Sequence, residues 1–413
     1  MKENFTWLAP TPAAFGTAVQ VTSAAMTVSE FLAGPAAGSD LLALGEPTHG
    51  EPAFAFARNE IFAELVEAGF RSFAYESDRI AALTVDAYVQ GADTPVDDVL
   101  TAGFSHGFGT LPGNLEIVEW IRAYNVGRPA TDRVTFHGFD APLEMTGAPS
   151  PRRYLAHVLG YLGDLVDPPA DLDALVGADP RWADPSAIMD HTRSVGRSPE
   201  ALRLRAIADD LRTALYANAP RLVAASSLAE WRRADLHADV AVRLLGYHAE
   251  AAAPALQAVR TSRLLGVRDA WMAHNLLDIR AQEQHRGPTL VYASNRHLQR
   301  HPSTWNLAGM DLEWSSAGSI VSALLGDRYA VIIGSLGAST ALDLPAPPDG
   351  TYEAALPDTG PTVLDRTAIS AALNDRALST RTDMTPEQGY FPLDPETIAH
   401  CDALLHIPVA SRR

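Results

Sequence analysis

Leu41, Leu42, Ala43 and Leu44 form an unbroken apolar run that stops at Gly45 and delivers Glu46 and His49 into a turn closed by Gly50. A strand with one wet face alternates apolar and polar residues. A continuous run marks a strand buried on both faces, as in a parallel sheet covered by helices. The pattern recurs: residues 40–45, 72–76, 133–139, 288–293, 329–333 and 403–407 read as six buried strands. Helical periodicity separates most of them. Residues 58–68 place Ile61, Phe62, Leu65 and Val66 on one stripe ended by Gly69, and 115–124 do the same with Ile117, Val118 and Ile121. The class implied is α/β, with a mostly parallel, doubly wound sheet.

The stretch 151–284 differs. It is rich in Ala, Leu and Arg and lacks a convincing strand. Ser198 is suited to cap a helix that opens on Pro199, and 231–246 and 257–282 carry further helical patterns. We read 1–150 with 285–413 as an α/β catalytic core, and 151–284 as a large helical insertion between strands three and four that covers the cleft. Residues 345–362, rich in Pro, Gly and Asp, read as a loop. No internal repeat is visible.

Composition narrows the function classes. The 413 residues carry 32 basic against 50 acidic side chains, a formal charge of −18, which argues against binding a phosphate backbone. A neutral or cationic small substrate suits that field better. The single cysteine, Cys401, rules out an internal disulfide and a multi-cysteine metal site. No apolar segment is long enough for a membrane span, and the N-terminal stretch shows no leader-like apolar core, so a cytoplasmic protein without membrane or nucleic-acid partners is expected. Oligomeric state is not legible.

In an open α/β sheet, ligands bind beyond the carboxyl ends of the strands. Here those ends share a habit. The first delivers Glu46 and His49, the second Glu76 and Asp78, the third Asp140, and the fourth Asn295 and His297. A carboxylate and an imidazole three residues apart on a turn reach a common atom, and histidine is the commonest general base near neutral pH. Taken alone, Asp78 or Asp140 reads as a helix cap or loop charge. Arg58, nine residues past His49, either points back to Glu46 or a substrate carbonyl or lies on a solvated helix face. Arg268 and Asp269 sit on one helix, where the plainer reading is an intrahelical or interhelical ion pair. His297 and His301, with Glu46 and His49, have the residue types of a metal site but no recognised metal spacing. Gly334-Ser335-Leu336-Gly337 reads as a small-residue turn. No Gly-x-Ser-x-Gly elbow, phosphate loop or dinucleotide fingerprint follows a strand.

Several ordered pieces resemble the erythromycin esterase family: Gly45-Glu-Pro-Thr-His-Gly50, Arg58, Gly69-Phe70 leading to Glu76, Asp86-Ala-Tyr-Val-Gln-Gly91, and Trp120-Ile-Arg-Ala-Tyr-Asn125. Phe136-His-Gly-Phe-Asp140, Arg268-Asp-Ala-Trp-Met-Ala-His-Asn275, Tyr292-Ala-Ser-Asn-Arg-His297 and Asp402-Ala-Leu-Leu-His-Ile407 follow. The resemblance implies hydrolysis of a macrolide lactone without a covalent serine intermediate. It implies His49 as general base on water, with Glu46, Arg58 and Glu76 around it. His297 falls on the second histidine of a family motif written Ala-His-Asn-x-His, and Ser294 stands in place of the first. Residues 105–114 lack the tryptophan-rich, acidic pattern of the family.

The resulting expectation is an ester hydrolase without cofactor or metal. His49, Glu46, Glu76, His297 and Arg58 are its catalytic set; Asp78, Asp140, Arg268, Ser294 and Asn295 contact substrate. Two other readings stay open. One is a non-hydrolytic acid–base enzyme (elimination, cyclisation or acyl transfer), motivated by Ser294. The other is a haem- or metal-binding protein using His49 and His297.

Overall fold

The computed structural model of the chain describes residues 27–144, 147–167, 169, 171–374 and 376–410. The amino-terminal stretch read above for a leader lies outside them.

The strands are β1 (Leu41–Glu46), β2 (Ser72–Asp78), β3 (Thr135–Asp140), β4 (Thr289–Ser294), β5 (Ser303–Leu307), β6 (Met310–Trp314), β7 (Tyr329–Ser339), β8 (Thr362–Asp365) and β9 (Ala403–Ala410). Seven form one sheet in the order β3-β2-β4-β1-β7-β9-β8. β1 runs parallel to β4 and β7, β2 to β4, and β7 to β9, while β8 is antiparallel to β9. The sheet is thus mostly parallel, and all six expected strands lie in it. β8 was not expected. It is a four-residue edge strand directly after a Pro/Gly-rich loop, too short to show a period.

Burial explains why the strands do not alternate. On one face Leu42, Leu44, Phe73, Tyr75, Leu290 and Tyr292 join Ile61, Phe62 and Leu65 of the helix Pro52–Glu67 and Ile117, Val118 and Ile121 of the helix Asn114–Asn125. On the other, Ala43, Ala74, Val291, Ala293 and Val331 meet Met272, Leu276, Ile279 and Val321. Each fully buried Leu, Ile or Phe contributes roughly 1.5–3 kcal/mol by leaving water.

The chain divides into two compact units. The sheet unit holds the described residues up to Phe139, Met272–Ser303 and the described residues from Ser315 onward. The helical unit holds Asp140–Trp271 and Thr304–Trp314. Within the helical unit the helices Arg152–Leu162, Pro199–Ala217 and Leu228–Ala251 pack together. Pro199–Ala217 starts as its sequence suggests, with Ser198 Oγ accepting from Ala201 N at 3.2 Å. β5 and β6 form a hairpin. Its turn residues Ala308 (φ 50°) and Gly309 (φ 80°) both adopt the left-handed conformation of a two-residue hairpin loop. Alanine in the first of these positions hid the turn from the sequence.

The strand order creates the site. From β1 the chain proceeds to β2 and β3 on one side and places β7 and β9 on the other, with β4 inserted between β2 and β1. Strand order reverses here, and the carboxyl ends of β2, β4 and β1 lie side by side.

Candidate active site

Glu46 is the last residue of β1 and pairs in register with Ser294, the last of β4. Tyr75 of β2 pairs with Tyr292. Residues in register share a face and chain neighbours alternate. Glu46 therefore shares a face with Tyr75 and Tyr292, and Glu76 starts from the opposite one.

His49 lies on the turn after β1. Its Nδ1 is 2.7 Å from Glu46 Oε1, and its Nε2 is 3.8 Å from Glu76 Oε1. With Glu46 as the acceptor, the contact fits the tautomer that carries its proton on Nδ1 and presents the lone pair at Nε2. The side chain is 37% exposed, the most open of the group. The Phe108 ring backs it at 4.9 Å. Glu76 Oε1 also lies 3.4 Å from His297 Nε2, and Oε2 accepts from Ser294 N at 2.8 Å. His297 sits on the short helix Asn295–Leu298, begun by β4. The fold thus brings Glu46, His49, Glu76 and His297 to one place. Glu76 lies between two imidazoles, an arrangement fit to hold a water and move its proton.

The other expected site residues are placed differently. Arg58 is fully buried. Its Nε and Nη2 donate to Asn59 Oδ1 (3.0 and 2.6 Å), Nη1 to Asn114 Oδ1 (3.0 Å) and Nη2 to Gly113 O (3.1 Å). It borders a cavity of about 30 Å³ beneath His49, together with Glu46, Tyr75, Asn114 and Tyr292. His49 lines the same cavity, so Arg58 borders the site while its guanidinium is held by Asn59, Asn114 and Gly113. Ser294 Oγ caps its helix by accepting from Arg296 N at 3.3 Å. Asn295 is bound through its amide to Gly334. Asp78 accepts from Ile80 N at 2.8 Å. In the helical unit Arg268 grips Asp140, the last residue of β3, with two bonds, 3.0 and 2.5 Å, an ion pair as its plainer reading had it. None of these five is assigned a substrate contact by its bonds. Residues 334–337 are not a turn either, because β7 continues through them to Ser339. A Cβ on Gly337 would lie 2.1 Å from Pro408 O, so this glycine serves strand packing.

Sequence reasoning missed Tyr292. Its hydroxyl donates to Glu46 Oε2, so each Glu46 oxygen has a partner. Burial, followed by the adjacent Glu46 charge, raises this phenol well above its ordinary range. Tyr75, raised by burial, accepts from Asn114 Nδ2 at 3.0 Å. The available signal was a tyrosine inside a strand otherwise built of apolar residues, since a buried phenol requires a partner. Among the described residues, no group of three or more His, Cys, Asp or Glu is arranged to hold a metal ion. His301 turns to Thr397 Oγ1 at 3.1 Å.

A family model described as Erythromycin esterase matches residues 65–409. No curated protein matches the sequence. Three solved structures share the architecture. A protein from Bacillus cereus is 19% identical, with a TM-score of 0.65 over 94% of this chain and 93% of that one. A point mutant of the erythromycin esterase EreC in its open conformation is 17% identical, with a TM-score of 0.63 over 93% and 95%. A succinoglycan biosynthesis protein is 16% identical, with a TM-score of 0.62 over 94% and 92%. At these identities the likeness is one of fold.

Proposed function

The chain belongs to the erythromycin esterase family, hydrolases of macrolide-type esters, and from that premise we propose that it is a metal-independent esterase or lactonase that opens a macrolide-like or other natural-product ester by general-base activation of water. The observation that carries this reading is the 2.7 Å contact of His49 Nδ1 with Glu46, which leaves Nε2 as the basic atom. The proton of a water passes to His49 Nε2 as its oxygen bonds to the acyl carbon. The carbonyl π pair moves to the oxygen, and protonated His297 stabilises that oxyanion. Collapse breaks the acyl C–O bond, and the imidazolium of His49 returns its proton to the alkoxide. One water is consumed overall. Glu76 orients water and His297, and Glu46 holds the tautomer. Base catalysis of this kind supplies ~10²–10⁴-fold. Arg58 acts from beneath through Tyr292, Asn59 and Asn114.

The test is incubation of the purified protein with aryl esters and macrolides, read by mass. A macrolide product heavier by one water, or an aryl ester split into an acid and a phenol whose masses sum to the ester plus one water, supports the proposal. A macrolide product of equal or lower mass replaces it with the second reading, a non-hydrolytic acid–base enzyme. That reading draws on Glu76, whose single oxygen faces two imidazoles and suits proton transfer without water.

A further inference from the structure

We propose that Tyr292 is a positioning residue for the Glu46–His49 pair: the hydrogen bond it donates to Glu46 sets how strongly that carboxylate holds the Nδ1 proton of His49. The inference deepens the reading of His49 as the base and rests on it.

Three observations converge on this role. Tyr292 has one hydroxyl proton, and Glu46 Oε2 receives it, while His49 Nδ1 occupies Oε1. The ring is fixed: it stacks on Tyr75 at 6.0 Å and 23°, and the Arg58 guanidinium lies 4.7 Å from its centroid. Arg58 is itself held by Asn59, Asn114 and Gly113, so the phenol has a rigid backing. Burial disfavours the phenolate, so Tyr292 stays a donor through the range in which histidine titrates.

A carboxylate that shares its charge with one donor holds a second less strongly. Tyr292 thus weakens the pull of Glu46 on imidazolium and keeps His49 neutral, hence basic at Nε2, to lower pH. The charged and titratable groups around His49 include Glu46 and Glu51 on its own segment, Arg58 on the following helix, Tyr75 and Glu76 on β2, Tyr292 on β4, His297 beyond it, and His106 beside the Phe108 ring. Tyr292→Phe changes one hydroxyl among them and keeps the ring.

The experiment titrates the Cε1–H resonance of His49 by NMR, assigned through its loss in His49→Asn, alongside the pH profile of kcat/KM. In Tyr292→Phe the His49 midpoint and the acid limb both move up, by roughly half to one pH unit. A fluorinated tyrosine at 292, a stronger donor, moves the midpoint down. An unchanged midpoint in both variants overturns the proposal and leaves Tyr292 as packing. The NMR arm needs no turnover, so a parent protein that hydrolyses no ester sinks the esterase reading without touching this one.

Discussion

Asn295 and Gly334 exchange two hydrogen bonds across the end of β1: Nδ2 donates to Gly334 O at 2.8 Å, and Gly334 N donates to Oδ1 at 3.0 Å. The clamp requires Gly45 between them, because a Cβ there would sit 2.2 Å from Asn295 Oδ1. It anchors to β7 the first residue of the helix that carries His297. The amide of Asn295, expected to contact substrate, is committed to Gly334 in this arrangement.

Asn295→Ala should therefore cost stability. It leaves a buried N–H and C=O unpaired, at about 1–3 kcal/mol each, so a loss of roughly 2–6 kcal/mol is expected in urea unfolding. Unchanged stability with a raised KM would instead mark Asn295 as a substrate contact.

His49→Ala should lower kcat/KM by ~10²–10⁴ while the protein stays folded, losing no more than about 1–3 kcal/mol for the Glu46 oxygen left without its imidazole. The imidazole is more than a third exposed, and Glu46 keeps its bond to Tyr292. Activity and melting are measured on the same preparation. Retained turnover would remove His49 as the base.

Activity should survive exhaustive chelation, with elemental analysis of the same sample. Glu46 and Glu76 already accept hydrogen bonds on both sides of the pair, from Tyr292 and His49 and from Ser294, which competes with cation binding. Activity lost to chelator and restored by zinc or manganese would recast His49 as a ligand.

Mild acid should weaken the fold through three buried histidines. Burial pulls His237, His248 and His406 from 6.5 down to about 4. Unfolded, each takes a proton near 6.5; folded, only near 4. Their contribution is therefore complete above about pH 6.5 and is lost as pH falls towards 4. Each proton contributes a slope of about 1.4 kcal/mol per pH unit. Urea unfolding between pH 7 and 4.5 should show it, and His406→Gln, which removes the partner of Ser335, should reduce the slope by about one proton. An identical slope in the variant would assign the acid sensitivity elsewhere.

The local sequence was enough for six of the sheet's seven strands. Leu41 to Leu44 and their counterparts are apolar without alternation because both faces of a parallel sheet are covered, and that requirement acts residue by residue. Ser198 with Pro199 marked a helix start by the same local logic. The turn carrying Glu46 and His49 was also legible, since a polar pair three residues apart beyond a buried strand has few other places to go. β8 and the β5–β6 hairpin were not, being too short for a period or lacking the usual turn residues.

Which polar groups meet was decided only by tertiary structure. Glu46 and Ser294 are 248 positions apart in the chain, yet strand register makes them neighbours. That pairing lets Glu76 reach the Ser294 amide and places His297 beside it. Arg58 reads the same in sequence whether it faces substrate or core. Its burial depends on Asn114 and Gly113, supplied by a different helix and its cap. Apolar burial is a property each residue declares through its own side chain. A hydrogen bond needs two partners at one distance, and for distant residues that distance exists only once the strands have taken their order.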